Sequence, residues 1–416
     1  MRRVAPTAER SLTGSMSDTT DAPGLVIIGG GLAGAAAAAE LRERGYDGPV
    51  VIVTEESDYP YERPPMSKGY LAGSTGFEDA LVRAPQWYID NHVSVRLATR
   101  AEPIDLDRNE VALSNGSSLA FEKLLIATGA APRRLSVPGG ERAVPLRTRR
   151  DADRLRERIG EGARVVVIGA GWIGLETSAA ARSAGAEVTL VEAAEQPLLG
   201  VLGAEVGAVF ADLHREKGVQ VMLSATVEEI TDDSVVVDGT SIPADVVVAG
   251  VGVQPNTALA ERAGLAVDDG IVVDASLRTS HPDVFAAGDV ASSYYPRYRR
   301  HVRVEHWANA LNQGPAAARA MLGETVSYDR LPYFYTDQYD LGMEYTGWVP
   351  PERLAEARVV LSGDVAGRAF RAFWLLPDDG GWRPAAAMHV NLWDEGIEPL
   401  KQRVDAADLT DPDSLG

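Results

Sequence analysis

The 416-residue chain contains no cysteine. It therefore cannot form a disulfide, bind a metal or an iron–sulfur cluster through thiolates, or carry a redox-active dithiol. Its six histidines show no H-E-x-x-H or comparable ligand spacing. The sequence predicts no metal site.

Long apolar runs and excess positive charge are also missing. No apolar run is long enough to span a bilayer, and the opening MRRVAPTAERSLTGSMSDTTDAPG lacks the apolar stretch of a signal peptide. We expect a cytoplasmic protein without membrane contact, with residues 1–23 as a disordered extension and either Met1 or Met16 as the natural start. The net charge of −20 argues against general nucleic-acid binding.

A glycine-rich turn follows the apolar run 25–28. Gly29 permits a tight turn, Gly31 lets the backbone approach a pyrophosphate, and Gly34 lets the next helix pack close to the strand. The anion would then lie at the helix N-terminus. Glu55 ends the next strand at about the distance expected of an acid that binds a ribose hydroxyl, roughly 20 residues.

The same pattern recurs after the run 165–168. Gly169, Gly171 and Gly174 form the second turn, and Glu192 ends the following strand. Each copy has a strand, a helix, a second strand and a terminal acid in order, which predicts two dinucleotide sites. An ordinary glycine turn is the alternative for each copy.

Two further strands end in small residues. KLLIATGA contains Thr128 and Gly129, and PDVFAAGDVA contains Gly288 and Asp289. This arrangement resembles the flavoproteins that bind two dinucleotides. The resemblance implies that the first turn holds FAD, that the second holds NAD(P)H, and that Asp289 contacts the FAD ribityl chain.

The segment YERPPMSK, residues 61–68, is more specific. It resembles the Y-x-R-P-P-L-S-K segment of the oxygenase-coupled NADH:ferredoxin reductases, a family that includes putidaredoxin reductase, rubredoxin reductase and apoptosis-inducing factor. GAGWIGLE, FAAGDVA, RVEHWANALNQG and PYFYTDQYDLGMEYTG extend the resemblance over nearly the whole chain after residue 24. The sequence departs from the pattern at Met66, where leucine is usual, and at His306 and Trp307.

The resemblance assigns roles to individual residues. Lys68 would lie near flavin N5 and pair with Glu176, and these two are the predicted catalytic residues. Trp172 would face the nicotinamide, with plain packing as the alternative. The other residues that the resemblance places around the cofactors are Arg63, Pro64, Thr128, Gly129, Arg133, Gly252, Gly288, Glu305, His306, Trp307 and Tyr335. Arg133 would contact the FAD phosphates, whereas simple core packing is the alternative for Trp307 and Tyr335.

Glu192 bears on the choice of nucleotide. A carboxylate accepts hydrogen bonds from the free ribose 2′-hydroxyl of NADH and repels the 2′-phosphate of NADPH. The next three residues, 193–195, include no arginine that could bind that phosphate. The sequence therefore favours NADH, with an exposed acid at a strand end as the alternative.

Alternating strands and helices predict an α/β fold with two doubly wound, Rossmann-like dinucleotide-binding domains. We expect a discontinuous FAD domain over 24–130 and 256–330, and an NAD domain over 131–255 inserted between its halves. Short aromatic strands after residue 331 predict a small α+β domain over 331–416.

Together these features predict an FAD-dependent NADH:ferredoxin oxidoreductase that passes hydride to flavin N5 and single electrons to a ferredoxin, or to a rubredoxin. The carrier would serve a cytochrome P450 or a dioxygenase. Arg297, Arg299, Arg300 and Arg303 form a basic cluster that would attract an acidic ferredoxin, with a solvated loop as the alternative. Two other functions stay open: an NADH-dependent quinone or dye reductase or oxidase, and a redox sensor like apoptosis-inducing factor.

Overall fold

The computed structural model describes residues 23–415. The predicted disordered extension therefore lies outside the described residues, apart from Pro23. Within residues 23–415, no helix combines the length and apolarity needed to cross a membrane.

The first part of the chain forms most of a seven-stranded sheet. Its elements in chain order are β1 Gly24–Ile28, α1 Leu32–Glu43, β2 Val50–Val53, α2 Pro85–Asp90, β3 Val93–Arg96, β4 Ala101–Asp105, β5 Glu110–Leu113 and β6 Ser118–Ile126. β1 lies between β2 and β6 and runs parallel to both. All five of its residues are buried, as expected of a parallel strand covered on both faces.

The second part forms a separate five-stranded sheet with the order β11-β10-β9-β15-β8 and a three-stranded antiparallel sheet, β12-β13-β14. Its elements are β7 Ala130–Pro132, β8 Val144–Pro145, α3 Arg149–Arg156, β9 Arg164–Ile168, α4 Trp172–Ser183, β10 Glu187–Val191, α5 Leu199–Leu202, α6 Ala204–Glu216, β11 Gln220–Met222, β12 Val227–Ile230, β13 Ser234–Val237, β14 Thr240–Pro243, β15 Val246–Ala249 and β16 Val253–Pro255. β7 and β16 pair antiparallel where the chain enters and leaves this part.

The third part returns to the first sheet. Its elements are α7 Ala258–Arg262, β17 Ile271–Val273, β18 Val284–Ala286, β19 Ala291–Tyr295, β20 Arg300–Arg303 and α8 Trp307–Met321. β18 pairs in parallel with β6, so the first sheet is completed by a strand from beyond the insertion. α8 packs on α1 so closely that a Cβ at Gly314 would lie 2.2 Å from the carbonyl oxygen of Ala33.

The last part is an antiparallel sheet with the order β21-β22-β25-β24-β23. Its elements are β21 Tyr333–Gln338, β22 Leu341–Gly347, β23 Arg358–Asp364, β24 Ala369–Asp378, β25 Gly381–Val390 and α9 Glu398–Ala406. One face packs on α9 through Phe373, Leu375 and Leu400. The other faces the second part, where the Trp374 indole donates to the carbonyl of Leu202 at 3.1 Å.

The predicted fold class is thereby confirmed: two α/β units, each built around parallel strands, and a C-terminal α+β unit. The domain boundaries themselves remain a proposal.

Candidate active site

A cavity of about 480 Å³ opens where the four parts of the chain meet. Its wall includes the carboxyl end of β1, the first residues of α1, α4 and α8, a 3-10 turn at Pro64–Ser67, and the first half of β21. Ligand sites in open α/β sheets lie outside the carboxyl ends of the strands, and the volume is in the range of small-molecule sites.

The first glycine turn forms one end of this cavity. Gly29 has φ of +121°, and a Cβ there would lie 2.1 Å from the carbonyl oxygen of Ala127. A Cβ at Gly34 would lie 2.2 Å from the carbonyl oxygen of Gly29, so this residue permits close helix–strand packing without lining the cavity. A Cβ at Gly31 would meet nothing within 4 Å. The N-terminus of α1, which has no side-chain cap, is thus open to an anionic group in the cavity.

The second glycine turn has the same local geometry, but its three glycines lie off the cavity wall. Gly169 has φ of +96°, and a Cβ at Gly174 would lie 1.9 Å from its carbonyl oxygen. The carboxylate of Glu192 accepts hydrogen bonds from the backbone N–H of Ala170 at 2.6 Å and of Ala194 at 2.8 Å. Glu192 therefore stabilises the conformation of the turn, in addition to any contact that it makes with a ribose. Gly171, Gly169, Gly174 and Glu192 do not line the cavity.

Trp172, like its neighbour Ile173, reaches the cavity from this second turn. Its ring centroid lies 4.4 Å from that of Phe334 and 5.8 Å from that of Phe210. Its position is therefore compatible with both alternatives given from the sequence, a contact with the nicotinamide and plain packing.

Lys68 and Glu176 meet at the cavity, as the family resemblance implied. The Lys68 ammonium lies 2.6 Å from the Glu176 carboxylate, whose side chain is 3% exposed. The same carboxylate accepts hydrogen bonds from the Ser67 hydroxyl at 2.5 Å and the Thr336 hydroxyl at 2.7 Å. A buried charge is tolerated when it is paired and hydrogen-bonded in this way. The arrangement places one cation and one anion at a fixed position on the wall.

Arg63 and Pro64 line the cavity beside this pair. The Arg63 guanidinium forms an ion pair with Glu56 and donates to the Tyr61 hydroxyl and to the carbonyl of Arg147. Burial alone would raise the pKa of Glu56, but the charge and hydrogen bond of Arg63 lower it below its ordinary value. Arg63 is therefore held rigidly by several partners.

Asp289 lines the cavity and forms an ion pair with Arg147 at 2.6 Å. Gly288, with φ of +79°, donates its N–H to the Gln313 side chain at 2.9 Å. The run RTRRDADRLRERI, residues 147–159, is mixed in charge and helical in period, which predicts an exposed helix. The structure differs at its start: the helix begins at Arg149 with Thr148 as its N-cap, and Arg147 reaches into the cavity.

Thr128 and Gly129 line the cavity beside the two linkers, the paired strands β7 and β16 with their adjoining residues, through which the chain enters and leaves the second part. Asn256 joins the linkers, because its side chain donates to the carbonyl of Thr128 at 2.8 Å and its N–H donates to that of Gly129 at 2.9 Å. Glu55 also lines the cavity, and it is exposed.

Trp307 and Tyr335 form an aromatic wall, with ring centroids 6.0 Å apart. The Lys68 ammonium lies 5.6 Å from the Tyr335 ring centroid. Burial and the nearby carboxylates raise the pKa of the Tyr335 hydroxyl to about 12. Glu305 lines the same region.

Besides Gly34, Gly169, Gly171, Gly174 and Glu192, three more predicted cofactor residues do not line the cavity. Arg133 donates from Nε to the carbonyl of Val253 at 3.0 Å and lies beside Gly252, so both lie on the paired linkers. His306 is the N-cap of α8, and its ring packs against Phe334. Burial lowers the pKa of His306 to about 4. Their roles toward a cofactor remain predictions.

Sequence reasoning missed Ser67, Thr336, Arg147, Glu56 and Asn256. Ser67 lies inside the YERPPMSK segment and Thr336 inside PYFYTDQYDLGMEYTG, so both could have been named from the resemblance. Arg147 carries no local signal, because its ion pair with Asp289 joins residues far apart in the chain.

The basic cluster is largely neutralised by acids. Arg297 forms ion pairs with Asp329 and Asp405, Arg300 with Glu352, and Arg303 with Asp269 and Glu305. Arg299 is exposed and has no ion-pair partner among residues 23–415. Arg297 also lines a second cavity of about 470 Å³, which shares Trp307 and Tyr333 with the first.

The described part of the chain holds no group of three or more histidine, aspartate or glutamate side chains that could bind a metal ion.

Comparison with known proteins identifies the family. Residues 23–314 match the profile of the pyridine nucleotide-disulphide oxidoreductases. The chain belongs to this family. It has the fold of these oxidoreductases without a cysteine pair.

Two members of the family are similar over most of their length. The ferredoxin–NAD(+) reductase component of the anthranilate 1,2-dioxygenase system of Burkholderia cepacia is 38% identical over 397 residues, which cover 94% of this chain and 96% of that protein. Putidaredoxin reductase of Pseudomonas putida is 37% identical over 369 residues, covering 85% and 86%. The reductase in the covalent putidaredoxin reductase–putidaredoxin complex superposes with a TM-score of 0.88 at 36% identity, over 95% of each chain. The family resemblance found in the sequence is confirmed.

Proposed function

We propose that this oxidoreductase is an FAD-dependent NADH:ferredoxin reductase whose ferredoxin serves a cytochrome P450 or a dioxygenase. The observation that carries the proposal is the single cavity that brings together the open N-terminus of α1, Asp289 and the buried Lys68–Glu176 pair. The ferredoxin reductase components and putidaredoxin reductase described above support the choice of acceptor.

The chain's residues fit a bound FAD. The first turn and the α1 N-terminus would hold its pyrophosphate, Glu55 its ribose and Asp289 its ribityl chain. When bound, FAD accepts a hydride from NADH and releases single electrons. The protein positions the reacting groups and fixes the charge of Lys68 and Glu176 beside them. No side chain need act as a general acid or base in hydride transfer.

The second turn and Glu192 would hold NADH. Glu192 already accepts two backbone hydrogen bonds, which fix its carboxylate in place. A second anion, such as a 2′-phosphate, is disfavoured beside it.

We propose that the ferredoxin docks near Arg297, Arg299 and Arg300, beside the cavity that shares Trp307 with the main one. Since acids pair with every arginine of the basic cluster except Arg299, the electrostatic contribution of the cluster to ferredoxin binding should be modest. We also propose a cytoplasmic location.

The test begins with the identity of the released flavin after denaturation. The holoprotein is then mixed anaerobically with NADH or NADPH, and electron transfer to a [2Fe–2S] ferredoxin is compared with transfer to a quinone. We expect FAD, fast reduction by NADH and preference for the ferredoxin. Release of FMN would contradict the cofactor assignment, preference for the quinone would favour a quinone reductase, and slow reduction with a long-lived charge-transfer complex would favour a redox sensor.

A further inference from the structure

A line of buried polar side chains leads from α6 to the cavity. His214 Nε2 lies 3.0 Å from the Gln338 carbonyl oxygen, and the Gln338 amide nitrogen donates to the Thr336 hydroxyl oxygen at 3.2 Å. The Thr336 hydroxyl in turn donates to Glu176 at 2.7 Å. All four side chains are at least 97% buried, with exposures of 0% for His214 and Thr336, 1% for Gln338 and 3% for Glu176.

The chemistry of the groups gives this line a direction. A carboxylate can only accept hydrogen bonds, so the Thr336 hydroxyl must donate its single hydrogen to Glu176. The Thr336 oxygen then accepts a hydrogen bond from the Gln338 amide. The Gln338 carbonyl then accepts from His214, which must carry its proton on Nε2. His214 Nδ1 has no hydrogen-bond partner among the described residues. Burial lowers the pKa of His214, with Gln338 acting in the opposite direction, so the ring is neutral at pH 7.

The line joins three parts of the chain. His214 and Glu176 belong to helices of the second part, Thr336 and Gln338 to β21 of the last part, and Lys68 to the first part. The surrounding interface is apolar, with neighbours such as Phe210, Leu213 and Met343. Apolar side chains would fill this space at no desolvation cost, whereas buried polar groups are costly unless each is hydrogen-bonded. The presence of these polar side chains therefore indicates a function for the residue at the end of the line, Glu176.

We infer that Thr336, Gln338 and His214 are positioning residues that fix the Glu176 carboxylate and, through it, the Lys68 ammonium on the cavity wall. Hydrogen bonds to a charged acceptor are stronger than neutral ones, and successive bonds polarise one another. The inference rests on the proposed function, because the fixed charges matter to catalysis only if the cavity holds a flavin.

Thr336 offers an isosteric test. Thr336→Val removes the hydroxyl at nearly constant volume, and Thr336→Ser restores it. Thr346→Val is the matched control, since Thr346 lies on the adjacent β22, is 0% exposed and has a hydroxyl without a hydrogen-bond partner among residues 23–415. We expect Thr336→Val to slow anaerobic flavin reduction by NADH roughly tenfold, the loss typical of one charge-assisted hydrogen bond. The flavin midpoint potential should fall as well, while Thr336→Ser and Thr346→Val remain within about twofold of the wild-type rate.

Repeating the Thr336→Val substitution in a Glu176→Gln variant shows whether Thr336 acts through Glu176. In Glu176→Gln, adding Thr336→Val should change neither the potential nor the rate further, because residues of one network are not additive. Equal effects in the two backgrounds, or an effect of Thr336→Val no larger than that of Thr346→Val, would overturn the inference.

The hydrogen bonds of this line can also be tested in the absence of flavin. With ¹⁵N-labelled histidine, NMR should show His214 as the neutral Nε2–H tautomer, its signal identified by its loss in His214→Gln. A proton on Nδ1 would overturn the inference. A wild-type protein that shows the expected tautomer but is not reduced by NADH would instead contradict the proposed function and leave the described line in place.

Discussion

Removing Lys68 should destabilise the protein even without a cofactor. Lys68→Met keeps most of the side-chain volume but leaves the Glu176 carboxylate, which is 3% exposed, without its cation. Breaking one partner of a buried ion pair typically costs 3–5 kcal/mol. Glu176 would keep the hydroxyls of Ser67 and Thr336, and Lys68 is 18% exposed, so we expect a loss of about 2–3 kcal/mol.

The assay is urea denaturation of the apoprotein, monitored by tryptophan fluorescence. It compares the wild type with Lys68→Met, Glu176→Gln and the double variant. The double variant has no unpaired buried charge, so it should be more stable than Lys68→Met alone. We expect an interaction energy of about 2 kcal/mol between the two sites, within the range for contacting residues. Strictly additive losses would show that the two charges do not interact, and would refute the reasoning.

Three further predictions follow from the contacts described. Glu192→Ala should lower kcat/KM for NADH at least tenfold, from a lost interaction of about 1.5–3 kcal/mol, and should narrow the preference over NADPH; equal wild-type use of both nucleotides would exclude this role. Replacing Arg299 and Arg300 with glutamate should slow association with an acidic ferredoxin by about two- to fivefold at low salt, and stopped-flow rates that match wild type would place docking elsewhere. The pKa of His214 is lowered in the folded state, so as pH falls the unfolded chain binds a proton at this histidine before the folded protein does. The free energy of unfolding should therefore decrease below about pH 6.5, by up to about 1.4 kcal/mol per pH unit. The buried His306, whose pKa is also lowered, adds its own share to this slope. His214→Gln should therefore reduce the slope in denaturation curves without abolishing it, and the exposed-site control His301→Gln should leave it unchanged; an unchanged slope in His214→Gln would contradict the assignment.

The fold class could be predicted because its signals are local. Each glycine turn joins an apolar strand to a helix within a short stretch, and the positive φ angles at Gly29 and Gly169 occur where the pattern requires them. The alternation of short aromatic strands likewise indicated the antiparallel C-terminal sheet. The Lys68–Glu176 pair was predicted from the family resemblance, since more than a hundred residues separate the two in sequence.

The remaining features depend on tertiary contacts. Arg147 lies in a run of mixed charges typical of an exposed helix, and only the fold directs it to Asp289. The alternation within β21 buries Thr336 and Gln338, but nothing in the sequence indicates that Glu176 and His214 lie opposite them. The four arginines of the basic cluster are close in sequence, whereas most of the acids that pair with three of them, namely Asp269, Asp329, Glu352 and Asp405, come from distant parts of the chain.

The return of β18 to the first sheet has a consequence for synthesis. β6 ends at Ile126, and its partner β18 begins at Val284, so the ribosome must make the whole inserted unit before the sheet can close. Until then β6 exposes an unpaired edge on that side, and such edges invite association with other chains. The insertion has its own parallel sheet and can fold first. Its paired ends, β7 and β16, then leave the two halves of the first unit side by side and shorten the search for the missing strand.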